Sequence, residues 1–186
     1  MKDFSFFEQA RKFSSRTPAE NLGQVSSISR RDFDERETFI FNSRCPGVEY
    51  ACLLIENALL LRTNRSGRIY AGFEKLSHLQ PIVDRYLRIA DLSESVFLFG
   101  EPDWRPARHP NIRVIPLKPD FKLAREWFLI ADSSTLQVAL VAQDEDKLSN
   151  TALDKRSFTA LKTSNPITVA KLANAAEGVI DWSIAA

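Results

Sequence analysis

Residues 126–145 read EWFLIADSSTLQVALVAQDE. Two apolar runs, one from Trp127 to Ala131 and one from Val138 to Ala142, are joined by little more than Ser133, Ser134 and Thr135. A link that short returns the chain antiparallel to itself, as a hairpin. A strand with one wet face alternates apolar and polar residues, and neither run does. Both faces of both strands therefore need cover, which puts the hairpin inside a sheet rather than at its edge.

Upstream the rhythm is different. ETFIFN (37–42), RIYAGFE (68–74), SVFLFGE (95–101) and NIRVIPL (111–117) read as strands. Between the first three lie two helical stretches, VEYACLLIENALLL (48–61) and LSHLQPIVDRYLRIADL (76–92). The first is polar only at Glu49, Glu56 and Asn57, so most of its circumference is packed. The second is interrupted by Pro81, which removes a backbone donor and clashes with the preceding turn. Strands that alternate with helices are parallel, because a parallel pair needs a crossover. Downstream, RSFTALKT (156–163) is a last strand, and Asn165-Pro166 caps a final helix whose inner face carries Ala170, Ala173, Ala176 and Ile180. The expectation is an α/β fold: a single three-layer domain with a mixed, partly parallel sheet flanked by helices.

An N-terminal helical extension precedes it. Phe6, Phe7, Ala10 and Phe13 recur at helical spacing and make an apolar stripe that something must cover. NLGQVSSISRRDFDERE (21–37) is polar, shows no sustained period and reads as a linker or a loosely docked loop. The chain thus divides into residues 1–36, helix and linker, and residues 37–186, the folded domain.

Composition narrows the function. Of 186 residues 44% are hydrophobic and 26% charged, and 25 Lys and Arg against 24 Asp and Glu leave a net charge of +1. No global field draws this chain to nucleic acid or to an anionic membrane. The N-terminus lacks the apolar core of a secretory signal, so a cytoplasmic address is expected. Cys45 and Cys52 are too few for a disulfide framework, and their spacing fits neither a CxxC pair nor a zinc knuckle.

Ligands of α/β sheets bind beyond the carboxyl ends of parallel strands, where loops and helix N-termini converge. At those ends stand Arg44 and Cys45 before Pro46-Gly47, and Glu101, Asp103 and Trp104 in a proline-rich loop. We take these five as the candidate ligand site. Arg44 suits either an anion or an ion pair with Glu101 or Asp103. Trp104 suits either ligand stacking or closure of the core. Cys45, near a helix start where amides lower a thiol pKa, is either reactive or simply a small packed residue. Glu49 and Glu56, two helical turns apart, share one face, and solvation is the simple account of both. His78 fits an exposed helix position, and no HExxH, GxSxG, Walker loop or GxGxxG occurs. TNRSGR (63–68) reads as a solvated basic turn, and QDEDK (143–147) is acidic without EF-hand spacing. No metal site and no catalytic residue is expected.

Taken in order, FNSRCPGVEYACLLIENALLL (41–61), GRIYAGFEKLS (67–77), PIVDRYLRIAD (81–91), VFLFGEPDW (96–104), AREWFLIAD (124–132), VALVAQDE (138–145) and FTALKTSNP (158–166) resemble the DICT sensory domain, a module of diguanylate cyclases and two-component systems. The resemblance covers roughly residues 38–182. It implies a non-enzymatic input module of bacterial signalling, with a link to light responses, that binds a small ligand or a partner protein. It carries over no catalytic residue. No kinase, cyclase or DNA-binding stretch is present in the sequence, so the expected output is to a partner in trans. Two rival readings are an adaptor, with Phe6, Phe7 and Phe13 docking on another protein or a second copy, and an enzyme using Cys45 as nucleophile.

Overall fold

The computed structural model of the protein describes residues 1–14, 19–62, 65–146 and 152–185. The TNRSGR and QDEDK stretches each run into residues outside these, at 63–64 and 147. The strands are β1 (Glu20–Gln24), β2 (Thr38–Arg44), β3 (Arg68–Lys75), β4 (Ser95–Glu101), β5 (Ile112–Pro116), β6 (Glu126–Asp132), β7 (Gln137–Asp144) and β8 (Ser157–Thr163). The α-helices are α1 (Phe6–Phe13), α2 (Arg30–Glu35), α3 (Cys45–Leu60), α4 (Val83–Asp91) and α5 (Pro166–Ala185).

The hairpin β6–β7 lies at the middle of one sheet with the order β1-β2-β8-β7-β6-β3-β4-β5. Its turn closes on itself: Ser133 N–H donates to the Leu136 carbonyl (3.1 Å), and Ser133 Oγ accepts from Leu136 N–H (3.0 Å). Both faces are covered as the unbroken apolar runs demand. Trp127, Leu129 and Ala131 enter one core, and Phe128 and Ile130 enter the other. β3 and β8 flank the hairpin antiparallel, and outside them the sheet turns parallel, β3-β4-β5 on one wing and β1-β2 on the other. One face carries α2, α3, α4 and a 3-10 segment, Leu76–Ile82, that contains Pro81. The opposite face carries α1 and α5.

Two expectations need correction. β2 and β3, consecutive in sequence and joined through α3, are not neighbours, because β8, β7 and β6 stand between them. The 16-residue α3 is about 24 Å long at about 1.5 Å per residue, and it crosses this antiparallel centre, packing on β2, β8, β7 and β6. The polar stretch 21–37 is not a loose linker. It supplies edge strand β1 and helix α2, whose Ser29 and Asp32 cap one another (3.0 and 2.7 Å). Ile28 and Phe33 anchor it, too few apolar residues to show a period.

The Phe stripe is covered by its own chain. Phe6, Phe7 and Ala10 are buried under α5 and the sheet, and Phe13 is half-buried beside them, so the docking stripe expected for a partner is occupied. A buried carboxylate fastens this helix. Glu126 of β6, 2% exposed, accepts the Ser5 hydroxyl and the Phe6 N–H (2.8 Å) at the open start of α1. Burial holds its pKa up at about 7 against an ordinary 4.5, outweighing the donors from Ser5, Phe6 and Phe7. Because the fold keeps the proton that the open chain releases, the associated stability is complete below pH 4.5 and is lost as pH rises through about 7.

The Pro46-Gly47 elbow is explained by contact. A Cβ on Gly47 would lie 2.0 Å from Ser43 Oγ and 2.6 Å from the Ser26 carbonyl oxygen, so only glycine lets α3 start this close to the β1–α2 connection.

Two outcomes follow. Glu126→Gln should flatten a pH dependence on the order of 3 kcal/mol in unfolding free energy between pH 4.5 and 8, read by chemical denaturation; an unchanged slope would remove Glu126 as its source. Gly47→Ala should destabilise by about 1–3 kcal/mol, and still do so when Ser43→Gly is added, because the Ser26 oxygen belongs to the main chain.

Candidate functional site

The carboxyl ends of β2, β3 and β4 do share one edge of the sheet, but the five residues proposed from sequence divide into two groups. Arg44 and Cys45 end β2, whereas Glu101, Asp103 and Trp104 follow β4. Four strands separate them, about 24 Å at five steps of about 4.8 Å. Arg44 is exposed and pairs with neither acid. Asp103 instead caps the 3-10 segment, accepting from Ser77 N–H (2.9 Å) and Ser77 Oγ (2.6 Å). Trp104 lies half-buried against the core under α3 and α4. Cys45 is 2% exposed, and burial, with the Glu49 carboxylate adding to it, pushes its thiol up to about 12. That is the reverse of an activated nucleophile. Between the two groups an ion-pair network fills the edge: Arg156, the residue before β8, binds Glu74 of β3 (2.7 Å) and Asp144 of β7 (3.2 Å).

The chemistry gathers instead on the helical face, in a cavity of about 440 Å³ between α3 and the chain running from the 3-10 segment into α4. Helical spacing builds both walls. α3 presents Glu49, Cys52, Leu53 and Glu56, at i, i+3, i+4 and i+7; the facing wall presents His78, Pro81, Ile82 and Arg85. Phe73 of β3 and Trp127 of β6 form the floor. The His78 ring lies parallel to the Trp127 ring at 6.0 Å, and Phe73 meets Trp127 edge-on at 5.8 Å.

Two positions here depart from the sequence reading, Glu56 and His78. Glu56 is not a solvated surface acid. It is 4% exposed, accepts from the Tyr86 hydroxyl (3.1 Å) and faces Arg85 Nε at 3.4 Å, while Arg85 also donates to Asn57 Oδ1 (2.9 Å). His78 is not on an open helix face: burial lowers its pKa, and its Nδ1 is buried with no hydrogen-bond partner. Glu49 stays exposed, as the sequence reading has it; it has the Cys45 thiol as a hydrogen-bond donor, has no cation in ion-pair reach among the described residues, and its partial burial raises its pKa. Burial also pushes the Cys52 thiol well above its ordinary range. The shared face of Glu49 and Glu56 was visible in their spacing. Arg85 and Trp127 gave no such sign, because only tertiary packing brings them there. Among the described residues no three His, Cys, Asp or Glu side chains converge as metal ligands. A second cavity, of about 480 Å³, lies at the ends of β4 and β5 and is lined by Glu101, Asp103, Phe121 and Trp182.

No curated protein matches the chain. Among solved structures it resembles polyphosphate kinase from Porphyromonas gingivalis with a TM-score of 0.53 and 13% identity, over 78% of this chain and 28% of that one. At that identity the likeness is one of fold, and the chain spans well under half the length of the kinase. The family model of DICT, the sensory domain in diguanylate cyclases and two-component systems, matches residues 52–145. That segment is half of the chain and holds the cavity's floor, its facing wall and the Cys52, Leu53 and Glu56 side of α3. The chain belongs to the DICT family of sensory domains.

Proposed function

We propose that the protein is a non-enzymatic sensory input whose stimulus is a small molecule held between α3 and α4, and that it passes the signal in trans to a separate signalling protein. Residues 37–186 carry the sensory unit, with α1 fastened to it through Glu126, and the address is cytoplasmic. The observation that carries this reading is the cavity itself. It is roofed by two separate helical elements, floored by aromatic rings and bordered by two polar groups, His78 with a buried nitrogen that lacks a hydrogen-bond partner and the exposed carboxylate of Glu49. Ligand sites have this make-up, a mostly apolar hollow with a few convergent polar groups. No helix among the described residues is long and apolar enough to cross a membrane, so the stimulus is not read through a spanning helix of this segment.

A route for the signal is also at hand. The facing wall begins in a 3-10 segment, a geometry with poorer hydrogen bonds than an α-helix and one that often marks a hinge. Ser77 in that segment is held by Asp103 of the β4–β5 loop. A ligand that displaces His78 and Pro81 would move Ser77, and through Asp103 the loop bearing Trp104. The sequence-proposed Asp103 and Trp104 thus take the role of relay. A pigment in the cavity would give the light response, and an absorption spectrum of the purified protein tests that version.

The ligand-site reading is tested by thermal unfolding against a library of small metabolites. A true ligand at about 100 times its Kd adds about 2.7 kcal/mol and raises Tm by roughly 5–10 °C in a chain of this size. Leu53→Trp, which fills the cavity from α3, should fold and lose that response. No shift with any compound, or an equal shift in Leu53→Trp, would refute the site.

A further inference from the structure

Resting on that reading, we propose that the ligand is an apolar molecule bearing a single cationic amine, with the amine seated on the Glu49 carboxylate and the apolar body between Leu53 and the Pro81–Ile82 wall. The charges around the cavity do not balance. Two carboxylates line the cavity, and one guanidinium faces them. Arg85 is committed to Glu56 on one side and to Asn57 on the other. His78, its pKa lowered by burial against the Trp127 ring, adds no positive charge at neutral pH. One negative charge is left over, and it belongs to Glu49, whose hydrogen-bond partner is the neutral Cys45 thiol.

Each ligand class meets this arrangement differently. An anion would face two carboxylates with the guanidinium already engaged. A neutral apolar ligand would gain the contacts of the wall but take water from the cavity side of the exposed Glu49 carboxylate and give nothing back. An ammonium group replaces the lost water with a charge-assisted hydrogen bond, while Leu53, Ile82 and Pro81 take up the hydrocarbon. At about 440 Å³ the cavity admits a bicyclic ring with a short side chain and lies near the small end of ligand pockets.

The test uses three probes that share one ring system and differ in charge: tryptamine, 3-ethylindole and indole-3-propionate. Calorimetric titration at pH 7 should give tryptamine an affinity at least about 10-fold above 3-ethylindole, the scale of one hydrogen bond to a charged group, with indole-3-propionate weakest. Glu49→Gln should bring tryptamine down to the level of 3-ethylindole with Tm unchanged, and Glu49→Lys, which reverses the charge on the same exposed turn, should invert the order of the two charged probes. The amine assignment is overturned if 3-ethylindole or indole-3-propionate binds as tightly as tryptamine, or if both variants leave tryptamine binding as it was. In either case binding that still disappears in Leu53→Trp keeps the cavity as the ligand site. Binding of any probe that persists undiminished in Leu53→Trp overturns both. If none of the three binds while a library compound does so in a Leu53-dependent way, the cavity stands and the amine assignment falls.

Discussion

β6 and β7 can lie at the middle of the sheet only because each has a strand on its outer edge and a helical layer above and below. Their backbone groups are out of reach of water, so the ladders to β3 and β8 must satisfy them. Their side chains enter two cores at once, and neither helical layer can be removed without exposing one of them. The length of α3 follows from the same demand. Crossing from β2 to β3 over the inserted β8, β7 and β6 takes four inter-strand steps, about 19 Å, and a 16-residue helix of about 24 Å covers that distance at a slant. A helix that passes over this much apolar sheet has little room for polar residues, which is why Glu49, Glu56 and Asn57 stand out on it.

The first 36 residues are fixed to this frame by two buried ionisable side chains, one on each face. Glu126 holds the start of α1. On the other face Lys162 of β8, 2% exposed, donates to the Arg36 carbonyl at the end of α2 (2.6 Å) and to Ser164 Oγ (3.2 Å), with its ammonium over the Phe33 ring at 5.0 Å. Burial pulls its pKa down to about 8. A charge placed this way is costly unless the groups around it stay put, so each one makes the docked position of its neighbour specific in a way that apolar contact alone does not. The chain thereby joins a weakly hydrophobic stretch, residues 20–36, to the sheet without a long apolar period in it.

The readable parts of the fold were those with a strong local pattern. The hairpin was visible in the link between Asp132 and Leu136 and in the apolar residues on both sides of it, and the strands β2 to β5 and β8 in theirs. Strand order was not, because β2 pairs with β8, Thr38 opposite Thr163, and nothing near Thr38 encodes a partner 125 residues away. That gap carried over to the site. Arg44 and Asp103 both end strands pointing the same way, a local property, and their separation depends on how many strands intervene, which is not local. Glu49 and Glu56 could be placed on one face from spacing alone, but whether that face meets water or His78 and Arg85 depends on where α4 packs. The resemblance to DICT was readable because it rests on the order of local patterns, the property that sequence preserves best.

The cavity wall is made of residues that a protein optimised only for stability would not keep there. Leucine or phenylalanine at His78 and Cys52 would fill part of the cavity of about 440 Å³ and remove a buried nitrogen without a partner, and each such replacement favours the fold. The Pro81 interruption holds the facing wall in a 3-10 turn where a continuous α-helix would have stronger backbone bonding. Local choices that weaken a structure without improving its packing concentrate where something other than stability is selected. On the ligand-sensing function proposed above, that something is an element soft enough to move when a ligand arrives and tied firmly enough to the rest to be noticed, and the turn that carries His78, which lines the cavity, and Ser77, which is held by Asp103, meets both conditions.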